Sequence, residues 1–114
     1  HGSLLENMDL LYTTINELYP KVSLTYDSSH FVMQGIPIKE TFQLLGLTTQ
    51  VHLRDARLNE MQATLNDGET DISGLLLVLK EMAYKGVIAI EYFDDFDKNH
   101  HEMIQLKKLL VEEL

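Results

Sequence analysis

The sequence predicts an α/β fold with three parallel strands in the order α-β-α-β-α-β-α. Segments with helical apolar spacing alternate with three short segments rich in β-forming residues. The spacing between these segments is close to the roughly 30 residues of a β-α unit. Strands that alternate with helices pair in parallel through right-handed crossovers.

Leu4, Met8, Leu11, Ile15 and Leu18 follow helical spacing, with Ser3 as candidate cap and Pro20 as the stop. His1-Gly2-Ser3 reads as a tag scar, which leaves residues 4–114 as a single α/β unit. Val22 to Asp27 alternates with period two and forms the first strand. Ser28-Ser29-His30 leaves it as a loop. Pro37 opens a short helix that Gly46 closes from C′. Thr49 to Arg54 is the second strand, and a polar, flexible loop runs on through Asn66-Asp67-Gly68. The third helix begins near Asp71, buries Ile72, Leu75, Leu76, Leu79 and Met82, and ends at Gly86. Val87 to Tyr92 is the third strand and the most apolar. A last helix starts near Asp97 or Asn99 and turns Ile104, Leu110, Val111 and Leu114 to the core. Three parallel strands leave two open edges, and parallel sheets are normally covered on both faces. Self-association through the strand edges is therefore expected.

At 114 residues, 45% of them hydrophobic, the chain makes one domain. Eighteen acidic residues against nine Lys and Arg give a net charge of −9. That balance argues against nucleic acid or an anionic membrane as partner, since both need clustered cations. With no cysteine, disulfides, thiolate metal sites and thiol nucleophiles are excluded. No apolar run approaches a membrane span, and no signal-peptide pattern is present. A cytoplasmic location fits.

Each predicted strand ends in a residue capable of chemistry: Asp27, His52 and Glu91. Parity places Asp27 with Thr25, His52 with Gln50, and Glu91 with Ala89, each opposite the bulkier apolar residues of its strand. In α/β folds ligands bind at the carboxyl ends of parallel strands. Asp, His and Glu converging there offer mixed oxygen and nitrogen donors for a divalent metal, Mn²⁺ or Mg²⁺ before Zn²⁺. The competing reading makes Asp27 a helix cap, His52 a satisfied core residue and Glu91 an exit to solvent. Arg54 shares the parity of His52 and Arg57 lies beyond the strand, so either could reach a substrate; the bland alternative is a surface Arg-Asp-Arg cluster. His100-His101 and Glu112-Glu113 read as solvated helix ends, and Tyr92, Phe93 and Phe96 as packing residues.

The segment from Leu24 to His30 resembles the Asp-x-x-His motif of the xylose isomerase-like TIM barrels, with Asp27 and His30 in the motif positions. His52 to Asp55 is similar to that superfamily's His-x-x-Asp strand, and Gly68 to Asp71 to its Gly-x-x-Asp lead into the next helix. Ala83-Tyr84-Lys85-Gly86 through Glu91 resembles the ending Gly-Tyr-x-Gly-x-x-x-x-Glu, with Ala83 where Gly is common. The superfamily holds sugar-phosphate isomerases, ketose epimerases, inosose dehydratase-type enzymes and endonuclease IV.

The resemblance implies that Asp27, His52 and Glu91 are metal ligands and that Glu91 also moves a proton alpha to a carbonyl. It implies that His30 binds substrate, or a second metal, and that Arg54 or Arg57 contacts a small sugar or polyol. It also implies that this chain is the C-terminal part of a (β/α)8 barrel, because the full barrel has eight strands in about 250 residues. A further ligating Glu comes from an earlier strand in the family, so the isolated chain is expected to lack catalysis. The acidic charge disfavours the DNA-repair branch. The alternative from another class is a small non-catalytic α/β interaction or scaffold module.

Overall fold

The computed structural model describes residues 2–92 and 96–114, with the side chains of 7–92 and 100–114. The order is α1 (Gly2–Leu18), β1 (Leu24–Asp27), α2 (Ser28–Met33), α3 (Ile38–Thr41) and a 3₁₀ helix (Phe42–Leu47). Then come β2 (Thr48–Leu53), β3 (Asp55–Arg57), β4 (Glu60–Ala63), α4 (Ile72–Glu81), β5 (Val87–Ile90) and α5 (Phe96–Glu113). Strands β1, β2 and β5 pair in parallel in that order, and β3 with β4 forms a separate antiparallel hairpin. The chain is thus a small α/β domain with a three-stranded parallel sheet. No helix among the described residues is long and apolar enough to cross a membrane.

The parity read from sequence sorts the two faces. Tyr26, Val51 and Leu53 are buried, and Ile88 and Ile90 pack beside them against Leu75, Leu76 and Leu79 of α4. Each of those leucines is fully buried and contributes on the order of 2 kcal/mol. The opposite face carries Thr25, Gln50, Val87 and Ala89, of which Thr25 and Val87 are exposed. Asp71 caps α4, its carboxylate accepting the Gly74 N–H at 3.0 Å.

Several expectations are corrected. Ser28-Ser29-His30 is the start of α2, not a loop, because Asp27 caps it from the last position of β1. The stretch after β2 holds the β3–β4 hairpin, whose turn places Asn59 at φ 63°, a conformation Asn tolerates better than most residues. Gly46 lies inside the 3₁₀ helix rather than at a C′ position. The C′ role belongs to Gly35 at the end of α2, with φ +75° and the Gly35 N–H bonded to the Val32 carbonyl. Helix α4 ends at Glu81, and Gly86 serves a close approach instead: a Cβ there would meet the Tyr84 hydroxyl and the Thr49 carbonyl.

Met82 is exposed. On α5 the inward stripe is Glu102, Leu106, Leu109 and Leu110, while Ile104, Val111 and Leu114 are exposed. The start of α5 at Phe96 is earlier than expected. On α1, Met8 and Tyr12 face the core whereas Leu11 and Leu18 are exposed. The side chains of Ser3, Leu4, Phe93 and Phe96 lie outside the described residues.

Candidate functional site

Register builds the site. Asp27 stands opposite His52 on β2, and His52 opposite Ala89 on β5. Glu91, two residues beyond Ala89, therefore returns to the same face one step past the strand end. Its N–H donates to the Leu53 carbonyl at 3.0 Å, which extends the ladder past β5 and fixes the Glu91 backbone. The His52 Nδ1 and Glu91 Oε2 atoms are 2.8 Å apart. One donor atom from each of Asp27, His52 and Glu91 lies within 4.8 Å of the others, and all three residues are half-buried.

Asp27 has further partners. Its Oδ1 accepts the N–H of Ser29 at 3.0 Å and the Ser29 hydroxyl, and its Oδ2 accepts Arg54 Nη2 at 3.0 Å. Arg54 Nε donates to Ser29 Oγ at 2.9 Å. Arg54 and Asp55 are each 1% exposed, so the alternative of a surface Arg-Asp-Arg cluster does not hold. Arg54 instead packs under Asp27. His30 is more than half exposed, with Nε2 3.7 Å from Asp27 Oδ2. Arg57 on β3 is turned to its own loop, Nη2 donating to the Asp67 carbonyl at 3.0 Å and Nε 3.4 Å from Glu60. The fold thus gathers Asp27, His30, His52, Arg54 and Glu91, and commits Arg57 to the hairpin.

Beside this cluster lies a network that sequence reading missed. The Asp55 carboxylate accepts four backbone N–H groups: Ala56 at 2.9 Å, Asn66 at 2.8 Å, Gly68 at 3.1 Å and Thr70 at 3.1 Å. The Asp55 N–H donates to the Tyr92 hydroxyl at 3.1 Å, and that hydroxyl donates to the Ala63 carbonyl at 3.3 Å. Burial raises the Tyr92 pKa above its ordinary value, with the Asp55 N–H opposing the shift. Tyr92 is a packing residue as expected, and its polar tip does more than pack. The signal in the sequence was the phenol itself, since a buried Tyr hydroxyl needs a partner.

The donor set suits a divalent ion. Two carboxylates and one imidazole match Mn²⁺, Mg²⁺ and Zn²⁺ chemistry. Ligands about 2.1 Å from a six-coordinate ion stand about 3–4 Å apart. The donor atoms here lie within 4.8 Å of one another, somewhat wider than that spacing. No family model, curated protein or solved structure matches the chain. The chemical reading of the site rests on its own geometry.

Proposed function

We propose that Asp27, His52 and Glu91 form a divalent-cation site, Mn²⁺ or Mg²⁺ before Zn²⁺, in the C-terminal part of a sugar isomerase/epimerase-like TIM barrel. The observation that carries this reading is the convergence of three donor atoms within 4.8 Å at the carboxyl ends of three parallel strands. Among the described residues, Thr25 and Val87 on the second face of the sheet are exposed, which supports the partial-barrel reading, because a barrel interior would occupy that face. A bound ion would supply Lewis-acid stabilisation of an oxyanion on the substrate. Glu91 would take up a proton alpha to a carbonyl of a small sugar or polyol. The exposed His30 would contact that substrate, and Arg54 would hold Asp27 in place beneath it. Among the described residues β1 and β5 are the edges of the sheet, which fits self-association of the chain.

Titration calorimetry with Mn²⁺ tests the site. Weak binding is expected for the wild type and none for Asp27→Ala. Absence of a Mn²⁺ signal, or binding unchanged in Asp27→Ala, would overturn it. Activity of the metal-loaded chain on ketoses tests the partial-barrel reading. None is expected, and turnover in the ordinary range of about 1–10³ s⁻¹ would sink it.

A second reading draws on a separate observation. Both Asp27 oxygens already hold protein groups, the α2 cap on one side and Arg54 on the other. In that case the strand-end residues anchor loops in a non-catalytic interaction or scaffold module. Loss of stability in Asp27→Ala with no metal signal in the wild type is the outcome that favours it.

A further inference from the structure

Glu91 stands where the described sheet gives out. Strand β5 ends at Ile90, and the Glu91 N–H makes the last rung with Leu53. Beyond that rung the next hold on the chain is the side chain of Tyr92. Its ring packs at the margin of the core, and its hydroxyl bridges Asp55 and Ala63. Those two residues are register partners across the β3–β4 hairpin. Successive residues of an extended segment point to opposite sides, so Tyr92 reaches the hairpin as Glu91 turns to His52. The hairpin side of the bridge is itself rigid. Asp55 is buried and its carboxylate gathers four backbone N–H groups. The Glu91 backbone is thus clamped on one side by a ladder bond and on the other by a phenol tied to a fixed loop.

We infer that Tyr92 is the positioning residue for Glu91: its hydroxyl, bridging Asp55 and Ala63, sets where the Glu91 carboxylate meets His52. The inference deepens the proposed metal site, yet its first consequence concerns the His52–Glu91 contact and needs no metal. Tyr92 touches no ligand atom and acts through the Glu91 backbone, so its effect on metal affinity is expected to be smaller than the roughly tenfold or more of a partner bonded directly to a ligand.

The test is Tyr92→Phe, which keeps the ring and removes the bridge. Ring ¹⁵N chemical shifts of His52 report the Nδ1–Glu91 contact without metal. They are expected to move toward those of Glu91→Gln, and Mn²⁺ affinity is expected to fall by less than about tenfold. A Thr41→Val variant destabilises the core away from the site and should move neither readout. In the wild type the Asp55 amide should be protected from hydrogen exchange. Unmoved His52 shifts in Tyr92→Phe would overturn the inference. So would an Asp55 amide exchanging at open-loop rates, a readout that stands even if Tyr92→Phe fails to fold. A wild type that binds no Mn²⁺ while the shifts move as expected would remove the metal reading and leave the positioning role standing.

Discussion

The Arg54 guanidinium lies 3.0 Å from Asp27 Oδ2 in a nearly closed environment, with Arg54 1% exposed. A buried charge of this kind persists only while paired. Removing one partner of a buried pair costs about 3–5 kcal/mol, because the other charge is left uncompensated. Arg54→Met leaves the Asp27 carboxylate, with its side chain 10% exposed, without its charge partner, so a loss of about 3 kcal/mol is expected in urea unfolding. The same substitution removes a positive charge from beside a candidate ligand oxygen. Mn²⁺ affinity, measured on the folded fraction, is therefore expected to rise in Arg54→Met.

Tyr26 supplies a pH dependence of definite sign. Its hydroxyl lies 2.6 Å from Thr41 Oγ1, and Thr41 donates its own proton to the Ile38 carbonyl at 2.6 Å. The phenol must therefore be the donor to Thr41. Burial is the main cause that pushes its pKa up from 10.0 to about 12, with the neighbouring Asp27 charge adding to the rise. A raised acid pKa means that the folded state favours the neutral phenol. The stabilisation is whole below pH 10 and is lost as the pH rises toward 12. At about 1.4 kcal/mol per pKa unit, the full loss is on the order of 3 kcal/mol. Urea midpoints across this alkaline range should fall more steeply in the wild type than in Tyr26→Phe.

The strand-end triad was legible because side-chain parity and strand ends are local properties of the sequence. Asp27, His52 and Glu91 keep both in the structure. The burial of Arg54 was not legible, since its partner is 27 residues away in the chain and charge alone reads as surface. The β3–β4 hairpin hid for another reason. Its strands have three and four residues, mostly polar, and neither is long enough to show an alternation. On α5 and α1 the apolar residues cover more than one stripe, so spacing alone did not choose Leu106 over Ile104 or Tyr12 over Leu11.

Ala83 marks a place where the sequence departs from the resembling motif and the structure shows a cost. It occupies the C′ position of α4 at φ 54°. The Tyr84 N–H closes on the Leu79 carbonyl at 2.9 Å and the Ala83 N–H on Lys80 at 3.0 Å, the paired bonds of a Schellman motif. A Cβ in this left-handed region costs about 1–2 kcal/mol. Ala83→Gly relieves that cost, less the extra entropy Gly carries in the unfolded chain. A net gain of about 0.5–1 kcal/mol is expected, raising the melting midpoint by a few degrees.

The open edge of β5 carries its own prediction. The strand reads Val-Ile-Ala-Ile, with none of the Lys or Pro that usually guard an edge, and Val87 is exposed. Concentration-dependent association is expected in sedimentation velocity. Val87→Lys adds a guarding charge at an exposed position and should shift the chain to monomer at matched concentration with little change in melting. An unchanged oligomer distribution in Val87→Lys would remove β5 from the contact.

Asp55 is the residue on which the loop after the hairpin depends. Its carboxylate accepts the N–H groups of Ala56, Asn66, Gly68 and Thr70 while itself buried. At Gly68 a Cβ would collide with that carboxylate and with the Ala56 carbonyl, so the loop folds around the acid with no slack. Asp55→Ala leaves several donors without acceptors, and each buried orphan costs about 1–3 kcal/mol. Water entering the partly exposed loop offsets some of this, so a loss of about 4 kcal/mol is expected, a large share of a small domain's stability. Asp55→Asn should be milder, because one amide oxygen still accepts while the NH₂ faces N–H groups it cannot satisfy. Amide exchange should separate the two effects. Asn66, Gly68 and Thr70 lose protection first, and a variant that unfolds globally without this local stage would show that the carboxylate holds more than the loop.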